Sequence, residues 1–532
     1  MANGRTEKEM EEAEALARGG KTARIATSVL AAKSFTFLAA GIAFIIVARI
    51  LGPGTYGVYT LAIAIAGFFG SFGDFGFSLS AVKFIAEYIE KKNTAMVKST
   101  ITNAYAAAAL IGIIFTVIAF VASGPVALLI FHNASYTPVL EVASFTIIVG
   151  VLWNVSYSML VGLGKGRYIT VAVVLQSLAQ ALLSIGFALA GFGAAAPILG
   201  VVIGFFIGFL AATAIEAKIL GISPSRMTAA LSWKEIKRLF AFSLPIGISN
   251  FVTGITGNFS TIFLGLYATS FVLGNYGITY KVSNMFDVVV GSIGFALLPL
   301  FSATLVDKKQ NKNIGKFYNY SIYMSLLAIA PVAFYIIFLS LPFSYTVFGG
   351  VYSLAPLYIS IMSVGVLLTV LSSYSSNLLV SAGKVKSFLK FNIMIAAVQI
   401  AFLLFLVPTY SGLGLVVLLF LIVPVVTNIL YMSKLSSMFK MKIAFAKFAR
   451  VILSSAVSAL FIVPLIYLFG GNTIPLLVAA AIEQLVVYPI IISKLGAIDR
   501  KNTELLSRIT EGVPLVGSVM RSLIAYTNIF LR

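Results

Sequence analysis

A few ionisable residues lie inside long apolar segments of this 532-residue sequence. They include Lys33, Asp74, Lys281, Asp287 and Glu483. Charged side chains inside a hydrocarbon layer are costly, so each one is a candidate for a functional role. Ammonium groups bind anions, and carboxylates bind cations or adjust the charge of a neighbour. These residue types favour binding and movement of a polar ligand, although for Glu483 a helix contact or a lipid groove is an equal alternative.

Lys33 and Asp74 are predicted to lie at similar depth on neighbouring antiparallel helices. Lys33 precedes the end of its apolar segment by 17 residues, and Asp74 follows Gly57 by 17 residues. At about 1.5 Å per residue, each lies roughly 25 Å from the same surface. An ion pair that joins the two helices and a shared binding site are both possible for this pair.

A second group of polar residues shares one helix face. Tyr280, Asn284, Asp287 and Gly291 are spaced by four, three and four residues, which places them on the same side of a helix. Lys281 is nearer the surface, where it can line a cavity or extend towards water as an interface anchor. We predict Lys281, Asn284 and Asp287 as cavity residues.

The segment that begins at Leu239 combines a helix-bending proline with several glycines. Proline removes a backbone hydrogen bond, so bending is favoured near Pro245. Gly247, Gly254 and Gly257 follow it, and we predict that these four residues form a hinge. Asn250 on the same segment is a candidate cavity residue or a bond to a neighbouring helix.

The elements that position these residues are predicted to be membrane-spanning helices. The chain is 60% hydrophobic and 10% charged, whereas soluble domains are roughly 25% charged. Lipid cannot satisfy backbone polar groups, and continuous apolar runs of this length fit helices. Fourteen spans are predicted: Val29–Ile50, Val58–Tyr88, Ile101–Ser123, Leu140–Leu163, Tyr168–Ala190, Ala196–Ala217, Leu239–Tyr267, Ile278–Leu305, Tyr318–Ser340, Leu354–Val380, Phe388–Val407, Leu413–Met432, Val451–Phe469 and Ile474–Ile492.

The distribution of basic residues predicts the topology. The odd-numbered connections contain no lysine or arginine: 51–57, 124–139, 191–195, 268–277, 341–353, 408–412 and 470–473. Of 37 basic residues, only Lys33, Arg49 and Lys281 lie away from the other side. Because Lys and Arg are retained in the cytoplasm, both termini are predicted to be cytoplasmic. The net charge of +20 is therefore a topology signal; contact with anionic lipids is expected, and nucleic-acid binding is not.

An internal repeat predicts two parallel halves with six helices each. Three dipeptide patterns recur at offsets of 219 to 221 residues: Tyr56-Gly57 with Tyr276-Gly277, Gly164-Lys165 with Gly383-Lys384, and Gly191 and Gly193 with Gly412 and Gly414. A substrate site between such halves is expected. The predicted organisation is a charged cytoplasmic tail (1–24), a first repeat (25–220), a linker (221–238), a second repeat (239–433), two extra helices (434–493) and an amphipathic tail (494–532).

The stretch ARILGPGTYGVYTLAIAIAGFFGSFGDFGFSLSAVKFIAEY, from Ala48 to Tyr88, resembles the amino-terminal signature of the polysaccharide-biosynthesis flippases. These belong to the multidrug/oligosaccharidyl-lipid/polysaccharide (MOP) exporter superfamily. The matching residues are Gly52-Pro53, Tyr56-Gly57, Asp74 with Gly76, and Lys83, and the second half begins with the similar proline-containing stretch LFAFSLPIGISN. The resemblance implies a V-shaped transporter whose cationic cavity opens alternately to either leaflet.

The resemblance also implies the substrate, an oligosaccharide linked through phosphate or pyrophosphate to a polyprenyl lipid. Lys33 would then bind phosphate and Asp74 would modulate its charge, with the structural ion pair as the alternative. Lys33 and Lys281 match by span the cations of the lipid II flippase branch. Two other functions remain open: a cation-coupled multidrug exporter of the same superfamily, and a membrane polysaccharide polymerase or glycosyltransferase.

The remaining predictions concern what the protein lacks and where it resides. With no cysteine, one histidine and no phosphate-binding loop, it is predicted to have no metal site, cofactor or ATPase activity and not to be an enzyme. Proton or sodium coupling is left open. A monomer in the cell membrane is expected. Arg49 is interpreted as an interface anchor, and Asn133 within Asn-Ala-Ser as a chance match to a glycosylation site.

Overall fold

The computed structural model describes residues 3–73, 76–221, 231–286, 314–470, 473–500, 503 and 516–530. These residues form helices and connecting turns, and no strand occurs among them. The helices are α1 (Asn3–Gly70), α2 (Phe77–Glu90), α3 (Thr94–Phe131), α4 (Thr137–Gly162), α5 (Gly166–Leu189), α6 (Ala195–Leu220), α7 (Trp233–Tyr267), α8 (270–286), α9 (Ile314–Phe338), α10 (Ser340–Phe348), α11 (Ala355–Ser381), α12 (Val385–Val417), α13 (Val423–Phe439), α14 (Phe445–Leu460), α15 (Ile462–Phe469), α16 (Thr473–Lys494) and α17 (Val516–Ile529).

Ten helical segments within the described residues are long and apolar enough to cross a membrane. Their 18-residue windows hold at most two charged residues, so the side-chain surface suits lipid. The helical hydrogen bonds satisfy the backbone polar groups, which lipid cannot do. The prediction of an all-α multi-pass membrane protein is confirmed. The total of fourteen spans stays a prediction, because several predicted spans include residues outside the described ranges.

The first two predicted spans are joined differently from the prediction. The expected connection 51–57 is not a loop, because α1 continues through it with a single non-helical residue, Gly52 (φ 66°, ψ 170°). Pro53 then starts the next helical stretch, a position where its missing N–H has no cost. The chain reverses here, since the rings of Phe44 and Tyr56 lie 6.2 Å apart, whereas twelve residues of straight helix rise about 18 Å.

The expected connection 408–412 is replaced in the same way by a sharp bend within α12. Ser411 there has a positive φ of 52°. A Cβ on Gly414 would lie 2.2 Å from the carbonyl oxygen of Leu406, so the two arms of the bend touch through their backbones. Glycine is required at this contact because no side chain fits between the arms.

The second predicted span is interrupted halfway. α1 ends at Gly70, residues 71–73 form a turn, and α2 begins after Gly76, which has a left-handed φ of 79°. Asp74 falls in this interruption, outside the described residues. Interrupted helices inside membranes are tolerated where other protein segments satisfy the freed backbone groups.

The chain divides into two compact units, 1–273 and 274–532. In the first unit α1 packs on α4, α5 and α7, α5 packs on α6, and α2 packs on α3, α4 and α7. In the second unit α9 packs on α11 and α14, and α11 packs on α12 and α13. α7 thus lies in the first unit, although the sequence repeat assigns it to the second half, and the domain boundary at residue 239 stays a prediction.

Two turns 219 residues apart in the sequence have the same geometry. Gly164 and Gly383 have φ values of 67° and 69°. The amide of Gly164 donates to Val161 and that of Gly383 donates to Val380, each at 3.0 Å. Both turns end a helix, α4 or α11, and precede a lysine, so these two repeat positions adopt the same helix-ending conformation.

Single-cysteine labelling can test the predicted orientation. Cysteine at Ser135 or Val351, both exposed, should react with an impermeant reagent applied from outside. Ser344 is unsuitable although it lies within the predicted connection 341–353, because the residues around it form α10 and bury its side chain. Cysteine at Asn311 should react only after permeabilisation; outside labelling there would contradict the predicted topology.

Candidate functional site

The predicted cavity residues fall largely outside the described parts of the chain. Asp74 and Asp287 lie outside the described residues, and the side chains of Lys33 in α1 and Asn250 in α7 do as well. Lys281 is exposed on α8. The structure therefore brings none of the six predicted binding residues into a described contact with another, and their roles stay predictions.

The described part of α8 has a distinct exposed face. Tyr280, Lys281 and Asn284 are exposed, whereas Val282 and Phe286 are buried. Tyr280 also stacks on the buried ring of Tyr276 at 5.9 Å. Lys281 and Asn284 thus share an exposed, partly aromatic surface of the second unit.

The predicted hinge segment packs closely on the interrupted second span. A Cβ on Gly254 would lie 2.6 Å from the hydroxyl of Ser71. The backbone nitrogen of Gly247 would lie 3.3 Å from a Cβ on Gly76. At Gly257, no atom lies within 4 Å of the position that a Cβ would take. Pro245 and these glycines lie within one continuous helix, α7, and bending of that helix stays a prediction.

Backbone contacts fix the start of α2 against α7. A Cβ on Gly76 would lie 2.9 Å from the carbonyl oxygen of Ser243, so only glycine fits there. The hydroxyl of Ser80 lies 3.3 Å from the carbonyl oxygen of Leu239 on α7 and 3.3 Å from that of Gly76, and its one hydrogen is shared between these two acceptors. The residues that follow on α2 are therefore held at a defined distance from the first turns of α7.

Beyond this contact, two cations lie on a group of aromatic rings. We name Lys83, Phe84, Tyr88, Arg238 and Phe242 the cation–aromatic cluster. The Lys83 Nζ lies 3.9 Å from the ring centroid of Phe242 and 4.8 Å from that of Phe84. The two rings meet edge to face at 5.5 Å, an arrangement that presents π density to the cation.

Arg238 occupies the other side of the same rings. Its guanidinium carbon lies 4.6 Å from the centroid of Phe84 and 5.5 Å from that of Tyr88. It also donates a hydrogen bond to the Tyr88 hydroxyl. Glu235, one turn earlier, is 3.9 Å from Arg238, a distance at the limit of an ion pair. The guanidinium is thus oriented mainly by the aromatic rings and keeps unused donors.

Two acids lie near the cluster, and neither forms an ion pair with Lys83: Glu235 contacts Arg238, and Glu87 contacts Lys91. Glu87 accepts a hydrogen bond from Lys91 at 2.6 Å and is committed to that pair. Among the residues that the structure describes, no carboxylate forms an ion pair with Lys83. Lys83 and Arg238 are both exposed. Two cations fixed on rings, with one side open, can bind an anionic group through charge-assisted hydrogen bonds.

The family resemblance singled out Lys83, but its association with Arg238 was not predicted. The signal was present in the spacing: Phe84 and Tyr88 are four residues apart on α2, as are Arg238 and Phe242 on α7. Each pair therefore lies on one helix face. The sequence pattern did not show that α1 ends at Gly70 and that a separate helix, α2, begins after Gly76 against α7.

The fold matches solved transporters over most of its length. The lipid II flippase MurJ in an inward closed conformation has a TM-score of 0.68 and 15% identity, covering 87% of this chain and 97% of that chain. An inward-facing MATE family multidrug resistance transporter of the MOP superfamily has a TM-score of 0.62 and 16% identity, covering 76% and 95%. A MOP superfamily transporter from Pyrococcus furiosus with a binding pocket of reverse polarity has a TM-score of 0.50 and 16% identity, covering 79% and 96%.

These likenesses define the class: this is a multi-pass membrane protein with the MOP superfamily fold. A family model described as polysaccharide biosynthesis protein matches residues 23–305, more than half of the chain. The chain belongs to the polysaccharide biosynthesis protein family, as the resemblance of residues 48–88 predicted. None of the curated proteins matches the chain significantly.

Proposed function

We propose that this protein is a transporter that flips a polyprenyl-(pyro)phosphate-linked oligosaccharide from the cytoplasmic to the outer leaflet, for the assembly of cell-surface polysaccharide. The observation that carries the proposal is the exposed pair of cations in the cation–aromatic cluster, of which Lys83 has no carboxylate partner among the described residues. The guanidinium and ammonium groups of the cluster suit a phosphate or pyrophosphate.

The physical task explains why such a protein is needed. A sugar–phosphate head cannot cross hydrocarbon without a polar path, whereas the polyprenyl tail can remain in the bilayer. We assign the head-group path to Lys33, Asp74, Asn250, Lys281, Asn284 and Asp287 together with the cluster. Bending of α7 at Pro245 would accompany alternating access in a monomer whose two termini are cytoplasmic.

A multidrug exporter of the same fold is the main alternative. A cationic drug requires an accessible acidic group, since opposite charges must pair when water is removed. The described cluster instead exposes cations. Of the two acids beside it, Glu87 is paired with Lys91 and Glu235 lies 3.9 Å from Arg238, which leaves Lys83 without an ion-pair partner among the described residues. This charge balance favours an anionic substrate over a cationic one.

Depletion of the protein in cells that carry its pathway tests the proposal. The expected result is accumulation of one lipid-linked oligosaccharide, because synthesis continues on the cytoplasmic leaflet while transfer stops. Extracted lipids should be identified by mass spectrometry, and sidedness should be measured with an impermeant glycan-modifying enzyme.

Two controls distinguish the alternatives. Re-expression of the wild-type chain should restore the outer-leaflet pool, which excludes indirect effects of depletion. Normal outer-leaflet glycan combined with hypersensitivity to cationic dyes would contradict the flippase and favour the multidrug exporter. Shortened glycans without any accumulated precursor would favour a polymerase.

A further inference from the structure

A buried carboxyl group lies apart from the cation–aromatic cluster. Glu216, near the end of α6, is 3% exposed, and its Oε1 atom has no hydrogen-bond partner. It lies in a helix long and apolar enough to span the membrane. An ionised carboxylate buried without a cation is strongly disfavoured, so this group requires an explanation other than an ion pair.

Glu216 is the first member of a chain of hydrogen bonds that joins three helices. Its Oε2 lies 2.8 Å from the hydroxyl oxygen of Tyr105 on α3. That hydroxyl lies 2.7 Å from the hydroxyl oxygen of Ser156 on α4. Ser156 in turn lies 2.7 Å from the carbonyl oxygen of Leu152, one turn earlier on α4.

The number of hydrogens in this chain shows which protonation state of Glu216 satisfies all three contacts. A carbonyl only accepts, so Ser156 must donate its single hydrogen to Leu152. Tyr105 must then donate its single hydrogen to Ser156. No hydrogen then remains on Tyr105 for Glu216, so all three contacts are hydrogen bonds at the same time only when Glu216 carries a proton and donates to Tyr105. If Glu216 is ionised, Tyr105 donates to it instead.

Among the residues that the structure describes, none forms an ion pair with Glu216 that could replace this proton. Among the described residues, the titratable group that faces Glu216 is Tyr105, while α4 contributes Ser156. On α5, the Gly200–Ser184 and Gly204–Gln180 contacts define a register that places Tyr168 and Arg167 at the depth of Glu216, and both are exposed. On α1, the side chain of Lys33 lies outside the described residues. On α6 itself, Lys218 lies two residues after Glu216 and is exposed.

We infer that Glu216 is a proton-binding site whose proton links α6, α3 and α4 and is released and regained during the transport cycle. Loss of the proton would turn Glu216 into an acceptor from Tyr105. One of the two links at Ser156 would then lose its donor, and a charge would remain buried. Both effects weaken the contact between the helices, so proton binding is coupled to their packing. The transport role rests on the function proposed above, whereas proton binding does not.

Infrared spectroscopy of the purified chain at neutral pH tests proton binding directly. A difference spectrum between the wild type and Glu216→Gln should show the C=O stretching band of a protonated carboxyl in the wild type. Glutamine can still donate to Tyr105, so the variant should remain folded. In Tyr105→Phe the same band should shift, because its hydrogen-bond acceptor is removed, while Tyr157→Phe on α4 should leave it unchanged. A carboxylate band in place of the protonated one would overturn the inference.

Proton exchange is tested with a polyprenyl diphosphate added to the protein in detergent, using a pH-sensitive dye and a separate binding assay. Wild type should exchange protons on binding, and Glu216→Gln should bind the probe with the proton signal largely lost. Binding with equal proton exchange in both proteins would overturn the role of Glu216 in transport. Failure of both proteins to bind would instead contradict the proposed substrate and leave the infrared result as the decisive measurement of the site.

Discussion

Replacement of both Lys83 and Arg238 by glutamine is expected to weaken binding of a polyprenyl diphosphate at least about a hundredfold. A hydrogen bond to a charged group contributes about 1.5–3 kcal/mol, and every 1.4 kcal/mol corresponds to about a tenfold change in affinity. Both cations are fixed on the rings of Phe84, Tyr88 and Phe242, so they do not have to be ordered when the ligand binds. Binding to the purified protein and flipping in proteoliposomes measure this effect.

Lys91→Gln is the matched control for this double substitution. Lys91 is predicted to lie on the same, cytoplasmic side of the membrane as Lys83 and Arg238. Its ammonium group donates a hydrogen bond to Glu87 at 2.6 Å. Its removal changes the net charge but removes a cation that is already paired with a carboxylate. We expect less than a threefold effect, since exposed ion pairs contribute about 0–1 kcal/mol. Equal losses in the control and in the double variant would indicate a general electrostatic effect and contradict a specific phosphate site.

The sequence was sufficient to predict the class of fold because lipid imposes strong constraints on composition. Long apolar runs are required by the thickness of the hydrocarbon layer. Basic residues collect on one side because they are retained in the cytoplasm, and the Gly52-Pro53 pair is suited to a turn. The predicted reversal at Gly52 is present, although it takes one residue instead of a seven-residue loop. Apolar composition alone does not show where a helix ends when the neighbouring turn is equally apolar, as at Ser411 and at α10.

The candidate site was harder to predict because it depends on contacts between distant segments. Tyr105, Ser156 and Glu216 are separated by 51 and 60 residues in the sequence, and nothing in their individual spacing signals a shared site. The cation–aromatic cluster similarly requires the interruption before Gly76. That interruption lies in a glycine-rich run whose spacing fits close packing and local bending equally well.

The small residues of α6 lead to the second large effect that we expect. Gly200, Gly204 and Gly208 recur every four residues and face α5, a pattern that lets helix backbones approach closely. A Cβ on Gly204 would lie 2.6 Å from the Cβ of Gln180 and 2.9 Å from its Cα. Because the contact involves backbone atoms, no rotation of a side chain can relieve it.

Gly204→Leu is therefore expected to separate α5 from α6 and to destabilise the protein by about 3 kcal/mol, the upper end of the usual cost of overpacking. Gly186→Leu on α5 is the control, since nothing lies within 4 Å of a Cβ at that position. Thermal unfolding of the detergent-solubilised variants, followed by size-exclusion chromatography, measures the difference. Equal stability of the two variants would contradict the close α5–α6 contact. Glu216 continues the same four-residue spacing beyond Gly208 and Ala212, so displacement of α6 should also disturb the hydrogen bond between Glu216 and Tyr105.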